Sequence, residues 1–443
     1  ANRHTLLALV FGILTLIAHD RWRKSEKSLW AFLSSLYLLL SVLSSESGIA
    51  TVAYLLSYAV FIDTTPKKSR FLSCLPYLVI ILGWRMVYNH LGYGAWGNAW
   101  YIDPVREPLR FAWASIERLP ILLFGVFGYP NPEFVILLSP QATRIYSLCT
   151  ALILGIGIYL LYPLGKQDRM AGFWAWSSLL SAIPFCAGIP DQRNMSFTTF
   201  GAIALFIVLI QNWREPRSSL PTHRGWLRFV RVWVWISCII FGIINPLNTL
   251  GRPQLMSRAG KMFSSQLKIG NYESLAGKDI VLVNPILSPL SAYVITNQLL
   301  HDQIPPSYFR TLASGIDPLE IERVDEYTLR IHPQQGYYPP AGPLPGRKDN
   351  WKYHIHFANL IWNCEHLIRS NIQPALLGQT ISLTGLTITI SKITPDKRIG
   401  EATFRFAVPL EDPSLHWIYW NAKTWKYERF ILPDIGTTMT LPS

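Results

Sequence analysis

Residues 144–162, RIYSLCTALILGIGIYLLY, carry a single charge at their first position and none after it. At about 1.5 Å of rise per residue, a helix of this length matches the roughly 30 Å of a bilayer core. No water reaches backbone N–H and C=O groups there, so a lipid-embedded run of this kind must close its hydrogen bonds internally as a helix. Seven further runs share the texture: Thr5–His19, Leu29–Leu43, Gly48–Ile62, Phe71–Tyr88, Ala171–Ile189, Met195–Gln211 and Leu227–Leu247. They run from about 15 to 21 residues, so the shorter ones extend into their flanks or sit in locally thinned lipid. The expected architecture is an α-helical polytopic membrane bundle of about eight spans over residues 1–250.

Composition agrees. Half of the 443 residues are hydrophobic and only 15% are charged, against about 25% charged in an average soluble chain. A net charge of +13 raises the question of nucleic acid, and the placement of the charges answers it. One alternate set of loops, 20–28, 63–70, 165–170 and 212–231, holds 14 basic and 5 acidic residues. The opposite set, with the span ends, holds 7 and 6. Positive residues collect on the cytoplasmic side, so the first set is expected to be cytoplasmic and both ends of the bundle external. The charge is a topology signal, and no nucleic-acid partner is expected.

After residue 250 no run is long or apolar enough to span. Residues 251–278 contain an amphipathic stretch, with Met256, Ala259, Phe263 and Leu267 near one face. It suits either a connector along the membrane surface or a first helix packed on the C-terminal domain. From 279 to 443 the apolar period is mostly two: Asp279–Asn284, Leu319–Val324 with Thr328–His332 as a hairpin, Thr380–Leu383, Leu386–Ile393, Ala402–Val408, and the pair Leu415–Trp420 and Trp425–Phe430. Leu290–Leu300 has a helical pattern, and 336–346 is a Pro/Gly-rich loop. A C-terminal β-rich α+β soluble domain, sandwich or barrel-like, is expected from that alternation. Cys364 is the sole cysteine in it, so it forms no internal disulfide.

Two short stretches carry a family resemblance. Asn2–Leu14 (NRHTLLALVFGIL) and Leu40–Ile49 (LSVLSSESGI) resemble segments of GT-C-fold membrane glycosyltransferases related to protein O-mannosyltransferases, with Ser45 where that family usually has Lys. The likeness covers roughly residues 1–65 and beyond them rests on span pattern; the two-part layout also resembles uncharacterised bacterial membrane proteins. The resemblance implies transfer of a sugar from a polyprenyl-phosphate donor at the outer face of a bacterial inner membrane, with a periplasmic C-terminal domain. Its main catalytic acid is expected in an outer loop upstream of Ala1, and the chain reads as if entered midway. The alternative is a non-catalytic structural or accessory subunit of a larger membrane complex. Membrane lipid, the polyprenyl-phosphate sugar and other membrane subunits are the partners in view.

Candidate residues are set by charge and position. Glu46, between two spans at the outer edge, can orient an acceptor hydroxyl, help hold a metal or act as base, or else be a solvated turn carboxylate. Arg3 at the outer end of the first span, Arg85 one turn inside the fourth, and Arg193 in a short outer turn are candidates for the donor phosphate, since a guanidinium suits bidentate phosphate binding. For Arg3 and Arg85 the bland reading is snorkelling to the interface. In the outer loop 89–104, His90, Tyr93, Trp96, Trp100, Tyr101 and Asp103 sit among glycines and can stack on or bind a sugar; an interfacial aromatic belt is the alternative. Asp191 joins them as an acceptor-side group or as the ion-pair partner of Arg193. Pro108–Phe124 reads as an interfacial helix. His354 and His356 lack completing ligands at a familiar spacing, so no metal site is expected; a divalent cation is left open as a cofactor. Trp417, Tyr419, Trp420, Trp425 and Tyr427 form either a carbohydrate-binding face or a cross-strand core ladder.

Overall fold

The computed structural model describes residues 3–94, 100–128, 130–214, 277–285, 307–314, 317–337, 374–424 and 426–442, with isolated positions between 228 and 254 and residue 363. The chain divides into two compact units: one takes in the helices through residue 247 apart from two short pieces, the other residues 248–443.

The helical unit contains α1 (Arg3–Ser25), α2 (Ser28–Ser44), α3 (Thr51–Phe61), α4 (Lys67–Leu72), α5 (Leu75–His90), α6 (Pro108–Phe127), α7 (Pro140–Gln167), α8 (Arg169–Ala182) and α9 (Ser196–Arg214). Four stretches are long and apolar enough to cross a membrane: Arg3–Ser25, Lys67–His90, Pro140–Tyr162 and Arg169–Ala187. Three expected runs are helices of shorter span, at Ser28–Ser44, Glu46–Phe61 and Ser196–Gln211. The eighth, Leu227–Leu247, lies largely outside the described residues. Length and composition therefore carry four spans among the described residues, against the eight expected. The break at Ser45 and the turn at Asp63 are what cut α2 and α3 short.

Small and hydroxylated residues let these helices approach. Ala8 and Thr15 of α1 pack against Ser41 and Ser34 of α2, and Gly12 leaves room for Thr51 and Phe197. Ser34 Oγ donates to Thr15 O at 3.0 Å, and Ser41 Oγ donates to Ala8 O at 2.8 Å. Close packing and such interhelical bonds hold apolar helices together, each bond worth about 0.6 kcal/mol where the surroundings are lipid. Tyr77 of α5 adds a buried junction, its hydroxyl 2.6 Å from Ser34 Oγ and 2.8 Å from His19 Nδ1. α3 packs on α8 and α8 on α9, where the Tyr54 hydroxyl donates to Phe197 O and Gly201 leaves room for that hydroxyl and for Ser178. The outward faces stay apolar: Leu78, Val79, Leu82 and Met86 of α5, and Leu148, Leu152 and Tyr159 of α7, are all exposed. α6 exposes Leu109, Trp113 and Ile116 along one side and buries Leu122 and Val126.

In the second unit β1 (Asp279–Leu282), β2 (Tyr308–Thr311), β8 (Leu415–Asn421) and β9 (Lys426–Arg429) form one sheet in the order β2-β1-β8-β9. β3 (Leu319–Arg323), β4 (Thr328–Pro333), β5 (Thr380–Leu383), β6 (Leu386–Ile393), β7 (Ile399–Phe406) and β10 (Thr438–Leu441) form the second, ordered β10-β3-β4-β7-β6-β5 and antiparallel throughout. Val281, Val283 and Trp417 of the first sheet share one core with Leu319, Ile331, Phe404 and Phe406 of the second, so the alternatives of sandwich and barrel resolve to two packed sheets. β1 is parallel to both neighbours, and Ile280 and Leu282, pointing away from that core, are as buried as Val281. A continuous apolar run is what a parallel strand buried on both faces requires. Asn284 ends it by pairing with β8: its Oδ1 accepts from Trp420 N at 2.7 Å and its Nδ2 donates to Trp420 O at 3.1 Å.

The aromatic ladder is core. Trp417, Trp420 and Tyr427 are buried, Trp420 pairs with Tyr427 across β8 and β9, and Trp417 Nε1 donates to Leu410 O at 2.8 Å. Trp425, His354, His356, Cys238, Cys364, the Leu290–Leu300 segment and most of 251–278 and 336–346 lie outside the described residues. Cys74, Cys149 and Cys186 are free thiols.

Candidate functional site

The C-terminal ends of α2, α5 and α8 meet where the chain reverses between helices. α2 stops at Ser44, and extended Ser45 accepts from Ser47 N through its side chain at 3.3 Å. Glu46 then opens a one-turn helix, Glu46–Ala50, that leads into α3. Gly48 presses this turn against α2: a Cβ there would lie 2.5 Å from the Ser41 carbonyl. Glu46 is thus exposed but held in one place.

α5 supplies the opposing groups. Trp84, Arg85 and Tyr88 lie in its last two turns. Tyr88 donates to Glu46 Oε1 at 2.6 Å, and the Arg85 guanidinium sits 5.4 Å above the Tyr88 ring centre. Beyond His90 the chain folds back through Gly92 and Gly94, both at positive φ, a conformation glycine adopts without strain. Tyr93 N donates to Tyr88 O at 3.1 Å and the two rings pack at 5.6 Å.

The returning loop completes the cluster. Asp103 accepts two bonds from Arg85 Nη2, at 2.7 and 2.5 Å, and Arg106 Nε lies 4.0 Å from the same carboxylate. Burial alone would raise the Asp103 carboxyl, but bonds from Val105 N and Arg85 outweigh it and hold it below the usual carboxylate range. The Tyr101 hydroxyl pairs with that of Tyr88; burial, then the charges of Glu46 and Asp103, push its phenol up, so it stays protonated at neutral pH. Arg118 of α6 anchors this loop, donating to Cys186 O and Gly188 O at 2.9 Å each and to Trp100 O at 3.4 Å. Ile102 N adds a bond to Ala187 O at 2.7 Å.

A second polar group lies in the turn after α8. Arg193 chelates Asp191 through Nη2 at 2.6 Å and Nε at 3.0 Å, and Glu133 contributes a side-chain hydrogen bond to Asp191. Burial works against the Asp191 charge, but these partners hold its carboxyl low, and Arg193 is pushed up in turn by its bonds to Asp191.

Of the residues chosen from sequence, the structure joins Glu46, Arg85, Tyr93, Tyr101 and Asp103 in one network through Tyr88. Asp191 and Arg193 form the other, paired with each other rather than turned toward Arg85. Trp100 is tied to Arg118 by its backbone. Arg3 and His90 are exposed, at the start of α1 and the last turn of α5, and no described contact joins them to Glu46. Trp96 lies outside the described residues. Sequence reasoning missed Tyr88, Arg106, Arg118 and Glu133 as members. Tyr88 was legible in principle, three residues after Arg85 and so on the same helical face; Glu133 carried no such signal. Among the described residues no group of three or more His, Cys, Asp or Glu side chains gathers to hold a metal ion.

No protein family, no curated protein and no solved structure matches this chain.

Proposed function

We propose that the chain is a GT-C-like membrane glycosyltransferase homologue, taking a sugar from a polyprenyl phosphate at the outer face of a bacterial inner membrane. In this reading the shorter apolar helices and the Leu227–Leu247 run complete about eight spans, and residues 279–443 form a periplasmic domain that helps bind acceptor or glycan. The observation that carries it is the meeting of Glu46, Tyr88, Arg85 and Asp103 at one end of apolar helices. Transfer from a sugar phosphate needs an acceptor for a hydroxyl proton and a cation facing the leaving phosphate, both at lipid headgroup depth. The acceptor oxygen attacks the anomeric carbon, Glu46 takes its proton, and the lipid phosphate departs with the bonding pair, its growing charge met by the Arg85 guanidinium. Tyr93 and Tyr101 offer ring faces to the sugar. The resemblance of residues 2–14 and 40–49 and the charge bias of the loops support the same reading.

The second reading, a non-catalytic subunit of a larger membrane complex, is favoured by one observation: Arg85 and Arg193 each already hold a carboxylate. Transfer from a polyprenyl-phosphate sugar by the full chain in lipid nanodiscs separates the two. Activity should fall about 100-fold or more in Glu46→Gln and in Arg85→Gln. Activity indifferent to both substitutions refutes the assignment, and no activity together with a stoichiometric copurifying protein supports the subunit.

A further inference from the structure

The Arg85–Asp103 pair is asymmetric. Both hydrogen bonds use Nη2, while Nε of Arg85 is buried without a hydrogen-bond partner. A guanidinium presents its donors as a fork, and two parallel bonds to two oxygens satisfy it best. Here one nitrogen holds both carboxylate oxygens, and the donor that would complete the fork is idle. A second cation reaches the same point: Arg106 Nε is 4.0 Å from Asp103 Oδ2, on a side chain 57% exposed. Two arginines thus converge on one carboxylate, beside the exposed apolar face of α5 made by Leu82, Met86 and Val87.

Asp103 does not depend on Arg85 for its place. Its Oδ1 accepts from Val105 N at 2.9 Å, Arg106 N also bonds to the carboxylate, and Glu107 N donates to its carbonyl at 2.8 Å. These bonds come from its own turn and survive if Arg85 turns to another anion.

The geometry points to a phosphate seat on Arg85 and Arg106, taking the headgroup of a lipid phosphate or a free phosphate ester, which Asp103 fills as an exchangeable counter-anion. Phosphate has the extra oxygens that a carboxylate lacks: two engage Nε and Nη2 of Arg85, and a third remains for Arg106. Entry of the ligand releases Asp103 onto its own turn. This rests on the reading of Arg85 as a phosphate-binding residue, and requires no transfer chemistry.

The test is binding of inorganic phosphate, and separately of a short-chain polyprenyl phosphate, to the full chain in zwitterionic nanodiscs. Asp103→Asn keeps the oxygen that accepts from Val105 N and removes the competing charge. It should bind phosphate about tenfold more tightly than the unaltered protein. Arg106→Gln on that background should return most of the gain, and Arg85→Gln should abolish binding. A gain for the lipid alone identifies the lipid headgroup as the source; an equal gain for both identifies the phosphate group itself. Binding to Asp103→Asn that is unchanged or weaker overturns the proposal, because a simple staple between α5 and the 103–107 turn gives that result. Binding to none of the proteins overturns it as well. A measured gain without sugar transfer keeps the seat and removes the transferase; transfer without the gain does the reverse.

Discussion

Gly48 governs where Glu46 sits, and adding one methyl group tests that dependence. A Cβ at position 48 would lie 2.5 Å from both the carbonyl carbon and oxygen of Ser41 and 2.7 Å from Ser41 Oγ. The first two are backbone atoms inside α2, and Ser41 Oγ is committed to Ala8 O. None can step aside, so Gly48→Ala must push the 46–50 turn away from α2. Overpacking of this kind costs about 1–3 kcal/mol. At roughly 2–4 °C per kcal/mol for a unit of this size, apparent melting should fall by about 2–12 °C. The turn carries Glu46, so the 2.6 Å bond from Tyr88 should be lost with it and any transfer activity should drop in parallel. Gly83→Ala is the control: on α5 its Cβ meets nothing within 4 Å, and alanine is favoured over glycine in a helix by about 1 kcal/mol. It should melt at or slightly above the unaltered protein. The assay is thermal unfolding of the full chain in detergent, monitored by intrinsic fluorescence, with hydrogen exchange over residues 44–50. A Gly48→Ala protein melting within about 1 °C of the unaltered one would refute the argument.

Two other sites give independent tests. Arg23 Nε donates to Asp63 at 2.8 Å, with side chains only 12% and 2% exposed. Burial would raise the Asp63 carboxyl, but bonds from Thr65 and Arg23 outweigh it and depress it. Its stabilisation is therefore complete above the ordinary carboxylate range and is lost as pH falls through the depressed folded value. Asp63→Asn should cost about 3 kcal/mol at neutral pH, as expected for breaking a buried pair, and flatten the acid limb of the melting profile. In the β unit, Asn284→Ala removes both bonds to Trp420. It should cost about 2–3 kcal/mol and speed hydrogen exchange at the Trp420 amide; an amide protected as before would show that the pairing is not structural. Asn284→Asp restores the acceptor but sets an oxygen against Trp420 O, so it should recover only part of the loss.

The legible part of this protein was the part set by local composition. Apolar runs became helices at seven of eight places, with the eighth largely outside the described residues, because a helix closes its hydrogen bonds within its own segment. Period-two alternation found β3 to β7; β3, β4, β6 and β7 each put side chains into the core, while β5 is an edge strand with no buried residue. It missed β2 and β10, which are four residues each and largely exposed, and it said nothing of the parallel neighbours of β1. Those neighbours are strands far along the chain, chosen by packing. Helix length was hidden for a related reason: a run's apolarity does not reveal the breaks at Ser45 and Asp63 that shorten α2 and α3.

The candidate site divides along the same line. Its residue types were legible as charges placed at the ends of apolar runs, because an ionised group is costly inside an apolar stretch. Its partners were not. Arg85 meets Asp103 eighteen residues on, Tyr88 reaches back forty-two to Glu46, and Glu133 finds Asp191 across α7 and α8. Hydropathy adds up along the chain, whereas an ion pair depends on which loops the packed helices bring within about 3 Å. Sequence alone therefore establishes a helical apolar part followed by a β-rich one; tertiary packing decides that Arg85 holds a carboxylate of its own chain and that Glu46 answers to Tyr88.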